Sequence, residues 1–145
     1  MTASIAATQE EVWSLLKLHQ CVYLATSEGD QPRVRPVTLL NLDRKFWIAT
    51  GTRSAKARQM RRNPNVEFCL PLTAECGQGY VRVSGLASAV SDPDTREKIG
   101  QQIPFLGEYW TGSDDPQFAL FRITRVEIEY LKPGEMTPVT FIVAH

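Results

Sequence analysis

Five cations, Arg53, Lys56, Arg58, Arg61 and Arg62, crowd residues 52–63, although across all 145 residues sixteen Lys and Arg balance sixteen Asp and Glu. The charge is local, so its chemistry depends on what surrounds it. An apolar run, "KFWIAT", ends in Thr50 and leads into Ser54 and Lys56. If the run is a strand and the cations open a helix, two hydroxyls and an ammonium surround a helix N-terminus. Free backbone N–H groups and the positive dipole end already favour an anion there. Upstream, "RVRPV" sets Arg33 and Arg35 two residues apart, hence on one strand face, and arginine grips phosphate through two parallel hydrogen bonds. Arg35, Thr50, Ser54 and Lys56 outline a phosphate site. Arg58, Arg61 and Arg62 read as the solvated face of the same helix.

Other chemistries find little footing. Cys21, Cys69 and Cys76 are odd in number and fit no CxxC spacing, and His19 and His145 lie far apart in sequence. Neither a metal site nor a disulfide framework is expected. Cys21 and Cys69 sit in apolar runs and are expected as small core residues, Cys76 in a glycine-rich turn. His19 ends a helical pattern and reads as a cap. No nucleophile with a base partner and no glycine-rich nucleotide fingerprint is visible, so no side chain is assigned a catalytic role. Zero formal net charge with 43% apolar residues argues against a disordered chain and a generally basic nucleic-acid binder. The cationic helix could touch nucleic acid, but no reading motif accompanies it. No apolar run approaches the roughly 20 residues of a membrane-spanning helix, and the start lacks a basic-then-apolar leader pattern. The expectation is a soluble, cytoplasmic protein without membrane or nucleic-acid partners.

The elements that must position these groups follow from periodicity. The length fits one domain over residues 1–145. Residues 8–19 read as an amphipathic helix, with Thr8 and Glu11 spaced as a capping box and Val12, Leu15, Leu16 and His19 on one face. Residues 21–26 and 32–40 read as a hairpin around "SEGDQ", and Pro36 predicts an edge or a bulge in its second strand. A third strand covers 45–50 after a turn at "NLDR". The cationic helix runs from about Ser54 to Arg62, where "NP" ends it. Strands at 65–70, 80–90 with Gly85 as a bulge, and 118–131 follow, with "VTFIVA" as a further candidate and a short helix in "SDPDTREKIG". Six or seven strands joined mostly by short turns suggest a small antiparallel barrel.

The segments "CVYLATSEGDQPRVRPVTLL", "FWIATGTRSAKARQMRRNPNVEF" and "YVRVSGLASAV" resemble, in order and spacing, the pyridoxamine 5′-phosphate oxidase-like family of FMN-binding split barrels. The resemblance is good over residues 8–90 and loose beyond. Its most specific part is a strand ending in Thr, Ser four residues later, Lys two after that, Gln three after that, then "NP" and a strand. It implies a mainly β fold with flanking helices, an antiparallel six-stranded split β-barrel. It also implies a homodimer with FMN in a groove between subunits. By the resemblance, Arg35 and Lys56 bind the phosphate, Ser54 hydrogen-bonds it, and Thr50 lies near the ribityl chain or ring edge. Backbone groups of Pro36, Val37 and Thr38 face the isoalloxazine, and Trp110 could wall the flavin from the partner subunit. Gln59 matches a motif position, but its helical spacing fits capping or packing as well.

Three departures qualify this. The chain ends "YLKPGEMTPVTFIVAH" where full oxidases have arginine and tryptophan residues for the substrate phosphate, so pyridoxamine phosphate is not the expected substrate. Tyr80, with Gln78 before it, stands where a glutamine meets the flavin, and Leu40 where a lysine meets the phosphate. Two fewer polar contacts weaken FMN binding by about 1–3 kcal/mol. The resemblance thus implies an FMN-dependent oxidoreductase acting on an unidentified small molecule. Its alternatives within the fold are a non-catalytic, stress-related flavin module, or a relative that binds F420 or haem.

Overall fold

The computed structural model describes residues 4–144. Four helices and seven strands follow the order α1 (Ile5–Leu15), β1 (His19–Glu28), β2 (Gln31–Leu42), β3 (Lys45–Gly51), α2 (Ala55–Arg62), β4 (Asn65–Ala74), β5 (Gly77–Ala89), α3 (Pro93–Gly100), α4 (Leu106–Tyr109), β6 (Phe118–Leu131) and β7 (Val139–Ile142). All strand pairings are antiparallel, in the sheet order β3-β2-β1-β4-β5-β6-β7, and β3 also pairs with β6. That last pairing, from Phe46 opposite Ile123 to Gly51 opposite Phe118, closes six strands into the expected barrel. The seventh strand is an addition: β6 gives residues 118–123 to β3 and residues 127–130 to β7.

Local chemistry sets the corners. Asp43 (φ 53°) and Arg44 (φ 60°) both take left-handed backbone between β2 and β3, the arrangement that lets a two-residue turn follow the strand twist. The register shifts between Ser84 and Leu86, so Gly85 forms the predicted bulge; a Cβ there would lie 2.6 Å from the Thr124 carbonyl oxygen. Helix α1 begins one turn before the predicted capping box. Its cap is Ser4, whose hydroxyl accepts the Ala7 N–H at 3.1 Å. It also ends early, because Leu16 turns extended and β1 pairs with β2 out to His19 opposite Leu40. His19 is therefore a strand residue rather than a helix cap, with Nε2 2.6 Å from the Gln102 carbonyl oxygen.

Strand alternation divides the apolar residues between two cores. Inward-facing Val22, Leu24, Leu39, Phe46, Phe68, Phe121 and Ile123 fill the barrel, with Phe46 edge-on to Phe68 at 5.2 Å. Outward-facing Leu40, Trp47, Phe118 and Leu120 form a second cluster under α3 and the segment after it, through Ile99 and Ile103. The same alternation corrects the expectation for two cysteines. Cys21 and Cys69 alternate with buried Val22 and Phe68, face outward, and are exposed and half-buried respectively.

The barrel is split beside β2. Strand β2 pairs with β3 only through residues 39–42, whereas its residues 31–38 pair with β1 alone. Pro36, which has no N–H to give, sits in this half-unpaired stretch, as its chemistry requires. Helix α2 closes the nearby barrel end with Ala57, Gln59 and Met60 buried. Among the described residues, no helix is long and apolar enough to cross a membrane.

Candidate functional site

The split brings the end of β3, the start of α2 and the inner face of β2 together. Thr50 is 5% exposed at the end of β3, and its hydroxyl lies 3.0 Å from that of Ser54. Ser54 caps α2, its oxygen accepting the Ala57 N–H at 3.2 Å. The four-residue spacing thus has a local cause: a strand-end hydroxyl and a helix cap hold each other across the turn. Lys56 follows in the first turn of α2, half-buried.

Arg35 is held by three neutral acceptors. Its Nη1 donates to Thr26 Oγ1 at 2.7 Å and the Leu24 carbonyl at 3.3 Å, and its Nη2 donates to Gln59 Oε1 at 2.7 Å. Gln59 Oε1 also accepts from Thr26 Oγ1 at 2.5 Å, while Gln59 Nε2 donates to Glu28 Oε2 at 3.1 Å. An amide has one accepting and one donating end, so Glu28 turns the accepting end toward Arg35. Among the described residues neither Arg35 nor Lys56 forms an ion pair. Burial, aided by the Arg35 charge, lowers the Lys56 ammonium below its usual range, and burial with the charge of Arg33 does the same to Arg35.

Two partly desolvated cations with no counterion among the described residues are an arrangement that favours an anion. A phosphate monoester carries about two negative charges near neutral pH and three accepting oxygens, so it would reverse both shifts. The residues present therefore fit the phosphate of FMN. Beside Arg35, the β3-facing edge of residues 35–38 has no strand partner and leaves backbone groups for a flat polar ring.

Three nearby cations, Arg33, Arg58 and Arg61, have partners of their own. Arg33 pairs with Glu28 at 3.0 Å and Arg58 with the same carboxylate at 3.6 Å. Arg61 is not merely solvated: it donates to the Thr52 carbonyl at 2.8 Å and lies 5.7 Å over the Phe121 ring. Val37 points into the core, and Pro36 and Thr38 point out. Trp110 packs on Phe118 at 5.0 Å and Tyr109 at 5.7 Å, against the outer cluster. Tyr80, at the position of the second departure, donates to Glu129 Oε2 at 2.8 Å under the Arg82 guanidinium. Leu40 is fully buried in the outer cluster, so a lysine there would have to desolvate its charge.

Sequence reasoning missed Thr26, Glu28 and the role of Gln59. The signal for Gln59 was its neutral side chain in "AKARQMRR", next to the inward Met60. Thr26 and Glu28 join only through hairpin register, which places Arg35 opposite Leu24 and Arg33 opposite Thr26.

A family model described as pyridoxamine 5′-phosphate oxidase matches residues 8–132. General stress protein 26 of Bacillus subtilis (strain 168) is 29% identical over 133 residues, covering 91% of this chain and 94% of that protein. A NimC/NimA family protein from Clostridium acetobutylicum has a similar structure, with a TM-score of 0.70, 27% identity, and coverage of 85% of this chain and 84% of that one. A pyridoxamine 5′-phosphate oxidase-related, FMN-binding protein from Nostoc punctiforme PCC 73102 shares the fold at a TM-score of 0.66 and 17% identity, covering 100% and 98%.

Proposed function

The chain belongs to the pyridoxamine 5′-phosphate oxidase family, and we propose that it is an FMN-dependent oxidoreductase that works as a homodimer on a small molecule. The observation that carries this reading is the pair Arg35 and Lys56, two partly buried cations without counterions among the described residues, beside the unpaired edge of β2. A structural relative that is itself FMN-binding supports the choice of flavin.

When bound, FMN supplies electron and hydride transfer, and the protein supplies binding and orientation. Arg35 and Lys56 hold the phosphate by charge-assisted hydrogen bonds, and Ser54 adds its hydroxyl at the helix N-terminus. Thr50 fixes Ser54. Gln59, oriented by Glu28, holds the Arg35 guanidinium in the cleft so that no rotamer search accompanies binding. Backbone groups of Pro36, Val37 and Thr38 face the ring.

The second subunit covers the outer face of the β1 and β2 hairpin. Tyr23 (48% exposed) lies opposite Pro36 and next to Val34 (68% exposed), and Cys21 extends the patch. Apolar side chains on a sheet face beside a cofactor cleft suit a self-complementary interface. In this reading Trp110 of one copy walls the flavin of the other. The similarity to general stress protein 26 favours a stress-linked setting for this chemistry.

The test is the visible spectrum of the protein after FMN addition and gel filtration. Retained flavin bands in the wild type, lost in Arg35→Ala with Lys56→Ala, are expected. A folded wild type that retains no flavin at tens of micromolar would overturn the reading, since the expected affinity is micromolar or better.

A further inference from the structure

Three buried side-chain polar atoms lack a hydrogen-bond partner among the described residues, and two of them, Trp47 Nε1 and Arg122 Nε, belong to residues lining one cleft. Both are donors. Buried donors without acceptors are rare enough in folded proteins that a shared location calls for a cause. The cleft, of about 360 Å³, opens between α3 and the turn from β2 to β3. Trp47 sits opposite Arg122 across β3 and β6, with the guanidinium 5.6 Å over the indole ring.

Charge converges on the same place. Lys45, Lys98 and Arg122 come from three different elements to line it, against one acid, Asp43. None of the four forms an ion pair among the described residues. In a chain of zero formal charge, three unpaired cations around one cavity repel each other unless an anion joins them. Leu42, Ile99 and the Trp47 ring, itself only 6% exposed, give the cleft an apolar wall. Lys45 and Thr50 stand at opposite ends of β3, five residues or roughly 16 Å apart, and Trp47 faces outward where Thr50 faces in. This is a second place, separate from the surroundings of Arg35.

We propose that this cleft binds a small organic anion, a carboxylate or phosphate monoester carrying a flat apolar body. The anionic head lies among Lys45, Lys98 and Arg122, whose charges it offsets, and the body packs on Trp47, Leu42 and Ile99. This follows the usual make-up of small-molecule sites, an apolar wall with a few convergent polar groups.

The experiment follows the indole N–H resonance of Trp47, identified by its loss in Trp47→Phe, while phenyl phosphate, benzoate, inorganic phosphate or benzyl alcohol is added. A saturable shift with phenyl phosphate or benzoate, and none with benzyl alcohol, is expected. The tighter of the two aromatic anions identifies the head group. Lys45→Gln with Lys98→Gln should weaken that binding about 10-fold or more while leaving FMN retention unchanged. No saturable shift by about 10 mM of either aromatic anion, ten times a millimolar Kd, would overturn the proposal. So would a shift that survives in the lysine double variant. Equal affinity for inorganic phosphate would overturn the apolar part of the assignment.

Discussion

The Gln59 side chain, 4% exposed on α2, accepts a hydrogen bond from Arg35 Nη2 at 2.7 Å and thereby ties the helix after β3 to the strand that lines the split. The two residues lie in separate stretches of the sequence, on β2 and on α2, and meet across 24 positions. The contact is neutral on the glutamine side, so it fixes the guanidinium without cancelling its charge. An aspartate or glutamate at position 59 would hold Arg35 as firmly and remove its use as an anion ligand.

Replacing Arg35 tests that use. Arg35→Ala should lower FMN affinity about 10- to 100-fold, the size of a charge-assisted pair lost from a partly desolvated site. Arg35→Lys should recover little, since a single ammonium nitrogen cannot span the positions from which Nη1 reaches Thr26 and Nη2 reaches Gln59 and still present a planar fork to a phosphate. Fluorescence titration of FMN, whose emission changes on binding, measures both; equal affinity in all three proteins would remove Arg35 from the site.

Lys56 should trade stability for binding. Its folded pKa lies below the ordinary 10.5, so between the two values the unfolded chain holds more protons, and apo stability rises with pH across that window. Below the window the cost is fully present. Lys56→Met should therefore raise the apo Tm by about 1–3 °C near neutral pH, flatten that alkaline slope, and abolish FMN retention. Calorimetry of wild type and variant, with and without FMN, checks the three signs; an apo variant less stable than wild type contradicts the account.

Glu28 acts at one remove. Its carboxyl is held below the usual range chiefly by the hydrogen bond from Arg33, then by that from Gln59, so its contribution is present above the unfolded carboxylate range, about 4.3, and is lost as pH falls through the lowered folded value. Glu28→Gln, free to accept or donate, should let the Gln59 amide turn and weaken FMN binding about 3- to 10-fold at neutral pH. The Gln59 side-chain NH₂ resonances report the amide directly. Unchanged resonances with weakened binding would assign the effect to Arg33 or Arg58 instead.

The covering of the hairpin face is testable by charge. Tyr23→Glu with Val34→Glu should leave the fold intact, shift the protein to a monomer in sedimentation, and reduce FMN retention, because in the proposed dimer the groove is made by both copies. A dimer that persists with full flavin places the interface elsewhere.

Gly85 tests the barrel rather than the site. An alanine Cβ would meet the Thr124 carbonyl at 2.6 Å and the Ile123 methyl at 2.7 Å. Gly85→Ala should cost about 1–3 kcal/mol in denaturant unfolding, the range for overpacking. A neutral result would mean that the bulge relaxes freely.

Much of this was legible in the sequence for a physical reason: its signals are local. The alternation of "CVYLAT" and "FALFRITRVEIEYL", the glycine that only a bulge accepts at position 85, and the Ser and "NP" that bound α2 each act within a few residues. The positions of Arg35, Ser54 and Lys56 on strand and helix follow from the same short-range rules. What only the tertiary structure decided depends on which elements meet. Closure of β3 on β6 leaves β2 half unpaired, and hairpin register sets Thr26 and Glu28 beside Gln59. The same packing turned Cys21 and Cys69 outward, tied Arg61 to Thr52, and gathered Lys45, Lys98 and Arg122 around one indole. Composition and periodicity are properties of a segment, whereas a site is a meeting of segments far apart in the chain, and that meeting is fixed by closure, register and the burial they impose.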